Sequence, residues 1–352
     1  ARTWENRAFA GFDSDLTIGF QTRHDFIDGA GLWRTTQRTR HTTVRQDDIW
    51  EGSAGLHGEA VTRWTPWFRT VVGLRGDLFW FNTRTSTLAA NEGYDWAGIV
   101  SPKFSAIFGP WHETELYFNF GTGFHSNDAR GVNTRIDPNT GLGVETVDPL
   151  VRTMGAEIGL RTQAIPDVTS TLSFFWLQSD SELVYVGDAG TNEPGPASRR
   201  LGVELATYWR PNTWFSTDAE LALTYARFRN SPGTDHIPNS VPVMFSGGVN
   251  FGAQGDAPGW FVGVRARIFA NRPLEETNTF TGRDSVMING TVGYRRKNWE
   301  AAVDCLNILN RADNDIEYYY ESQLPGEAAP VADVHLHPVE PRMFRFRVTY
   351  RF

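Results

Sequence analysis

A single cysteine, Cys305, in 352 residues excludes an internal disulfide and any metal site built from several thiolates. It falls on a predicted strand, where it serves as a small apolar side chain. Long apolar runs are missing too. No stretch approaches the roughly 18 consecutive apolar residues that a membrane-spanning helix needs. Positive charge is in deficit, with 33 Lys and Arg against 41 Asp and Glu. The net charge of −8 argues against a nucleic-acid or anionic-surface partner. Ala1 to Asp13 has no basic head followed by an apolar run, so no signal peptide is read there; an exported protein of this kind would be processed or partial. Catalytic signatures are absent as well. Ser53, with Gly52 and Gly55 nearby, lacks the strand–turn–helix context of a nucleophile elbow, and Asp25 and His41 belong to no motif.

What the chain has in excess is aromatic: 24 Phe, 13 Trp and 10 Tyr. Amphipathic rings favour the boundary between lipid and water. The last twelve residues show how the rings are arranged. Phe344, Phe346, Val348, Tyr350 and Phe352 fall on one face of a strand, and Arg345, Arg347, Thr349 and Arg351 on the other. Phe68, Val72, Leu74, Leu78 and Trp80 likewise oppose Arg69, Gly73, Arg75 and Asp77. Leu201, Val203, Leu205, Thr207 and Trp209 oppose Gly202, Glu204, Ala206, Tyr208 and Arg210. Trp260, Val262, Val264, Ala266 and Ile268 oppose Arg265, Arg267 and Asn271. Glycine and charge on the second face suit a wet lumen better than a packed core.

Such patterning predicts strands near 14–27, 31–46, 49–64, 67–83, 95–108, 112–122, 149–163, 168–186, 198–210, 213–228, 239–253, 258–271, 283–296, 298–310 and 341–352. The connectors alternate between short turns and long links, the latter at 84–94, 123–148, 187–197, 229–238, 272–282 and 311–340. Trp64, Trp67, Trp111, Trp209, Trp214, Trp260 and Trp299 all flank the short turns. Outer-membrane barrels have this rhythm, with short periplasmic turns and longer extracellular loops. The reading is therefore an all-β, antiparallel transmembrane β-barrel. A passive porin-like channel and a soluble all-β binding protein are the competing readings.

A terminal Phe352 on an amphipathic last strand resembles the sorting signal of such barrels. The order of landmarks resembles the C-terminal half of TonB-dependent outer-membrane receptors. They are Gly73-Leu74-Arg75-Gly76-Asp77, Ser101-Pro102-Lys103, Glu115-Leu116-Tyr117, Gly123 to Gly131, and Leu306-Asn307-Ile308-Leu309-Asn310-Arg311. The resemblance covers nearly all of the chain, residues 1–352. It departs at Ile308-Leu309, where the family commonly has Asn-Leu-Phe-Asn followed by an aromatic. It implies about 15 strands of a 22-stranded barrel, with the N-terminal plug and first strands outside this sequence. The odd count supports that reading, because bacterial single-chain barrels use even numbers. Counting back from a periplasmic Phe352 makes 14–27 a descending strand and puts Ala1–Asp13 in an extracellular loop.

The implied function is import of a scarce small-molecule substrate, such as an iron–siderophore or another metal chelate. TonB would couple through the missing plug, and no cofactor is implied. Lipid is the partner of the outward face. The barrel assembly machinery is the partner of the last strand, through Phe344, Phe346, Tyr350 and Phe352. His125, Asn127, Asp128 and Arg130 are candidates for substrate or plug contact, or for bracing their own loop. Tyr318 and Tyr319, in an acidic aromatic stretch, are further ligand candidates or girdle residues. His335 and His337 share one face of an extended segment, a spacing a metal could use, with Asp333, Glu340 and His125 as possible neighbours. Arg345, Arg347 and Arg351 are expected to pair with carboxylates on neighbouring strands or on the plug.

Overall fold

In the computed structural model the alternating segments are β-strands, and the structure describes residues 1–9, 11–186 and 191–352. The first strands are β1 (Arg2–Phe9), β2 (Phe12–Thr36), β3 (Thr39–Thr65), β4 (Phe68–Ser86), β5 (Gly93–Trp111) and β6 (Thr114–Ser126). A five-residue helix, α1 (Ala129–Asn133), precedes β7 (Leu150–Thr162), β8 (Val168–Ser179), β9 (Leu183–Val186) and β10 (Thr191–Pro194). Then come β11 (Ser198–Trp209), β12 (Phe215–Phe228), β13 (Val243–Gly252), β14 (Gly259–Ala270), β15 (Ser285–Arg296) and β16 (Trp299–Leu306). The last are β17 (Asn314–Ser322), β18 (Val331–Pro338) and β19 (Met343–Tyr350). Fifteen of them, β1–β8, β11–β16 and β19, hydrogen-bond in chain order as one sheet. The pairs β9–β10 and β17–β18 are separate hairpins. Among the described residues no helix is long and apolar enough to cross a membrane. The chain divides into two compact units: Ala1–Ile107 with Asn119–Ala156 and Gln178–Gly195, and Phe108–Phe118 with Glu157–Leu177 and Pro196–Phe352.

In the first unit the two faces of β2, β3 and β4 have opposite chemistry. Leu16, Ile18 and Phe20, Leu56, and Val72, Leu74 and Leu78 are all exposed on one face. The register sets these even-numbered positions side by side, with Leu16 opposite Ala60 and Ala54 opposite Leu78. On the odd-numbered face Arg63 pairs with Asp15 at 2.7 Å, Arg75 with Asp77 at 2.6 Å, and Lys103 with Glu59. The Lys103 stem crosses the sheet over Gly73, where a Cβ would lie within 2.5 Å of it. Near the short turns, hydroxyls on the apolar face have partners on the same face. Ser14 donates to Thr62 at 3.1 Å, and the Trp64 indole donates to Thr70 at 2.8 Å. That is the requirement for polar groups facing hydrocarbon. Phe12, Trp64, Trp67 and Phe68 border this face at the short-turn end. A second row, His24, Phe26, Trp50 and Trp80, borders it higher up, with ring centroids 5.5–6.3 Å apart. On β4 the two rows enclose Arg69 to Phe79, eleven residues, against the roughly 9–11 of a tilted membrane-crossing strand.

The second unit repeats the scheme. Val262 faces Val292 and Val292 faces Val303, Phe346 pairs with Val303, and Phe344 with Cys305, giving a continuous apolar face. It is open, not packed against a second sheet: Phe346 is 77% exposed and Val348 68%. Trp209, Trp214, Trp260 and Trp299 gather with Phe215, Phe251, Tyr294 and Tyr350 beside the short turns. On the opposite face Arg265 meets Asp218 at 2.6 Å, Arg295 and Arg347 share Glu300 at 2.6 and 3.3 Å, and Arg345 meets Asp304 at 2.9 Å. Arg351 pairs with Asp256. The expected pairing with strand carboxylates is thus found for Arg345 and Arg347, whereas Arg351 meets a carboxylate of the β13–β14 turn.

Five expectations are corrected. Ala1–Asp13 is not a loop, because Arg2–Phe9 pairs antiparallel with β2. The segments 14–27, 31–46 and 49–64 are two long strands, not three, joined by a two-residue turn at Gln37-Arg38. Residues 14–27 therefore belong to the second strand and run opposite to the direction assigned. The total of fifteen survived only because a missed strand offset a false division. The predicted strand 168–186 breaks after Ser179, and part of the 187–197 link, residues 187–190, lies outside the described residues. The 311–340 link contains the β17–β18 hairpin.

A charge on the apolar face should be far costlier than one on the other. In the full-length receptor, Leu74→Arg should lower folding stability in lipid vesicles by about 2–4 kcal/mol. Gln21→Arg, on the charged face, should stay within about 0.5 kcal/mol of wild type in the same urea titrations.

Candidate functional site

On the charged face of the first unit the wall ends in a folded loop. Ile49 on β3 and Phe81 on β4 sit on this face yet are 0% and 1% exposed. Ala129 and Val132 of α1 and Val147 of the same loop cover them. Burying two side chains of this size contributes about 1.5–3 kcal/mol each. Apolar residues at these two odd-numbered positions make sense only because the loop folds back onto them.

The loop is held by side chains that the sequence reading singled out, and by several that it did not. Asn127, at the end of β6, is buried; its amide donates to the Pro149 carbonyl at 3.0 Å and its side-chain nitrogen to the Asp148 carbonyl at 2.6 Å. Asp128 is the N-cap of α1, accepting from the Arg130 backbone N–H at 2.8 Å and from the Arg130 guanidinium at 2.7 and 2.8 Å. Burial works to raise the Asp128 carboxyl, but the hydrogen bonds and charge of Arg130 prevail and hold it below its ordinary value. His125 lies on β6 with Nε2 buried and no protein partner.

Sequence reading missed Glu51, whose carboxylate accepts the Ala129 N–H at 2.5 Å. It also missed Arg45, which donates to the Arg130 carbonyl at 3.3 Å and to Thr134 at 3.0 Å. Asn91, 1% exposed, accepts from the Arg135 and Ile136 amides at 2.9 Å and donates to the Ile136 carbonyl at 2.8 Å. No sequence signal marks these three, since each acts on a segment more than forty residues away.

Between the loop and the wall lies a polar pocket of about 260 Å³, lined by Arg23, Asp25, Glu51, Ser53, Asn127 and Asp128 among others. Arg23 and Asp25 pair at 2.7 Å across its side. Deeper on the same face is a second pocket of about 270 Å³, around His57, Glu59, Arg75, Ser101, Lys103 and Thr122. His57 Nδ1, Ser101 Oγ and Thr122 Oγ1 are buried without a protein partner. Both pockets offer donors and acceptors for a polar guest and no nucleophile–base pair.

In the second unit Tyr318 and Tyr319 lie on β17, and His335 and His337 on one face of β18, as alternation requires. Tyr319 stacks on Phe280 at 4.0 Å, and Tyr320 stacks on His335 at 3.8 Å. His335 Nε2 is 2.7 Å from the Ser322 hydroxyl and Nδ1 is 3.1 Å from the Asp333 carbonyl, so both ring nitrogens are engaged. Among the described residues no three His, Cys, Asp or Glu side chains gather as metal donors. On β17 itself, Glu317 is buried and holds Arg272 at 2.9 Å, the Arg283 amide at 2.9 Å and the Asn314 side chain at 2.5 Å. Gly282 leaves the space, since a Cβ there would come within 2.5 Å of Glu317. Asn307 and Asn310 close the base of the last loop: Asn307 donates to the Arg311 and Glu340 carbonyls at 2.9 and 3.0 Å, and Asn310 accepts the Arg342 amide at 2.9 Å.

The Asp128 cap gives a measurable pH signature. A carboxylate lowered in the folded state contributes stability above its unfolded pKa and loses it as pH falls through the folded value. The protection the cap gives Ala129–Asn133 in hydrogen exchange should therefore be full at neutral pH, decline as pH falls through the ordinary carboxylate range, and be gone below the folded-state value. Asp128→Ala, worth about 1 kcal/mol as a lost cap, should speed exchange of α1 about five-fold at neutral pH and remove that pH dependence.

Two wet pockets on a charged wall, backed by an apolar face bounded by aromatic rows, match a known architecture. The family described as TonB dependent receptor-like, beta-barrel matches residues 2–308. The ferric yersiniabactin uptake receptor FyuA from Yersinia pestis aligns with TM-score 0.71 and 14% identity, over 97% of this chain and 51% of that one. The copper transporter OprC aligns with TM-score 0.71 and 16% identity, over 99% and 54%. The FrpB iron transporter from Neisseria meningitidis aligns with TM-score 0.66 and 14% identity, over 99% and 55%. No curated protein sequence matches the chain. The chain spans about half the length of the solved receptors it resembles. It belongs to the β-barrel domain of the TonB-dependent receptors, a family of outer-membrane transport barrels rather than enzymes.

Proposed function

We propose that the whole receptor binds a scarce small molecule at its external loops and imports it with energy delivered through TonB. The observation that carries this reading is the loop 127–149, folded against the wet wall over a polar pocket of about 260 Å³. In barrels of this kind the long loops are extracellular and the short turns periplasmic. The pocket then sits at the outer end of the lumen, where a ligand would first be held. Asn127 and Asp128 line its cover, Arg130 holds Asp128 in place, and Asp25 and Glu51 supply its wall. Their bracing role and a ligand role are compatible, because the cap that orders the loop also sets the shape of the pocket. Tyr318 and Tyr319, on the hairpin of the last long loop, are proposed as a second contact surface. A metal chelate is the proposed ligand class, in line with the iron and copper named for similar receptors. Direct metal binding by His335 and His337 is not part of this reading, since His335 has no free ring nitrogen.

TonB is the proposed coupling partner, acting through a plug that, like the remaining strands, belongs to parts of the receptor other than residues 1–352. The last strand, with Phe344, Phe346, Tyr350 and Phe352 turned to lipid, is proposed as the segment the assembly machinery reads. Uptake separates this account from a passive channel. Cells expressing the full-length receptor should accumulate ferric siderophore only when TonB is present. Equal accumulation without TonB would mean an open pore.

A further inference from the structure

The β17–β18 hairpin carries a buried charge that a merely solvated loop would not need. Glu317 is 2% exposed, and Arg272, its partner at 2.9 Å, is 7% exposed. Burying such a pair is costly unless its geometry is good and further hydrogen bonds support it. Here Glu317 also accepts from the Arg283 amide and the Asn314 side chain, and Arg272 donates to the Arg283 carbonyl at 3.2 Å. The loop that supplies Arg272 is itself a fixed platform. The Glu275 carboxylate accepts the amides of Thr277, Thr279 and Phe280, the Leu274 amide donates to the Phe280 carbonyl at 2.9 Å, and the Gly282 amide to the Arg272 carbonyl at 2.8 Å. The preceding long loop braces it, with the Asn239 amide on the Pro273 carbonyl at 2.8 Å and the His236 amide on the Glu276 carbonyl at 3.1 Å. Alternation gives the two faces of the hairpin different surroundings. Glu317 and Tyr319 lie on one face, and Tyr319 stacks on Phe280 of the platform at 4.0 Å. Tyr318 and Tyr320 lie on the other, where Tyr318 stands opposite His335 in the register and Tyr320 stacks on the same imidazole at 3.8 Å.

We infer that Arg272 and Glu317 are positioning residues for ligand capture. Their pair latches the Glu317–Tyr319 face of the hairpin onto the 272–282 loop and so presents Tyr318, Tyr320 and His335 as one fixed aromatic surface. Such a surface suits a flat, ring-bearing part of a metal chelate, which stacks on aromatic faces. The inference rests on the import reading and divides the second contact surface proposed above: Tyr319 anchors, and Tyr318 presents. A hairpin already held in place loses less freedom when ligand binds than a swinging one, so the latch acts on affinity. Gly282 belongs to the device. A Cβ there would lie 2.5 Å from Glu317 Oε2 and push the carboxylate off its partners.

The test uses the full-length receptor in lipid nanodiscs, spin-labelled at Glu276→Cys and Ala332→Cys in a Cys305→Ser background, one label on the platform and one on β18. Wild type should give one narrow distance between the labels, and Glu317→Ala a broad distribution. Gly282→Ala should broaden it too, although both charges remain. Heat-dependent gel migration, expected to be unchanged, shows that each variant keeps its folded barrel. Uptake by cells then separates positioning from mere support, with radiolabelled iron supplied as catecholate and as hydroxamate chelates. For the chelate that wild type accumulates, Glu317→Ala should raise the half-saturating concentration about ten-fold and leave the maximal rate unchanged. A distance as narrow in Glu317→Ala as in wild type would overturn the inference. So would a lowered maximal rate with half-saturation unchanged, which is the mark of a purely structural role. Wild type that accumulates neither chelate would count against the import reading instead, and the label distances would then decide whether the latch exists.

Discussion

Each strand of this protein has to satisfy two solvents at once. Side chains alternate at every residue, so a single register error would turn charges toward hydrocarbon and rings toward water. The pairing on β2–β4, between the short turns and the upper aromatic row, and on β14–β16 with β19 keeps the two sets apart. Other features follow from that separation. On the apolar face Ser14 pairs with Thr62, and Thr70 with the Trp64 indole. Charges on the wet face sit beside opposite charges, as Arg345 does beside Asp304. Gly73 lets the Lys103 stem reach across the sheet to Glu59.

Where the wall leaves the membrane, the constraint relaxes and a different one takes over. The loops must satisfy their own backbone groups without a ladder, and they do so through a few buried polar side chains. Asn91, Glu317 and Asn307 each hold two or more segments that are distant in sequence. The strands therefore form a scaffold of local, repeated pairings, and the external end is built from long-range, unrepeated ones. Ligand recognition belongs at that end, since only there can side chains vary without breaking the alternation.

This division explains what the sequence disclosed. The alternating faces, the tryptophans beside the short turns and the arginine–carboxylate pairing of the last strand were legible, because each depends on a period of two and on neighbours. The long hairpin was misread because bulges between Ile27 and Ala30, Leu32 and Trp33, and Arg34 and Thr35 reset the parity, so one strand looked like two. β1 was missed because its pattern is short and polar, and only its pairing with β2 identifies it. In the site, Asn127, Asp128 and Arg130 stood out as polar residues at the start of a long loop, and they do order that loop. Glu51 and Arg45 gave no signal, since on their own strands they are merely further charged positions of the wet face. The landmark around Asn307 proved to be a closing knot for the last loop, a role that composition does not reveal.

The separation of solvents can be read directly at adjacent residues. Spin labels placed singly at Leu56, Leu74, His57 and Arg75, in a Cys305→Ser background of the full-length receptor in bilayers, would report oxygen and water-soluble nickel chelate in turn. Labels at 56 and 74 should be relaxed by oxygen and shielded from the chelate, and labels at 57 and 75 the reverse. Equal exposure of both pairs to the chelate would contradict the account at its root.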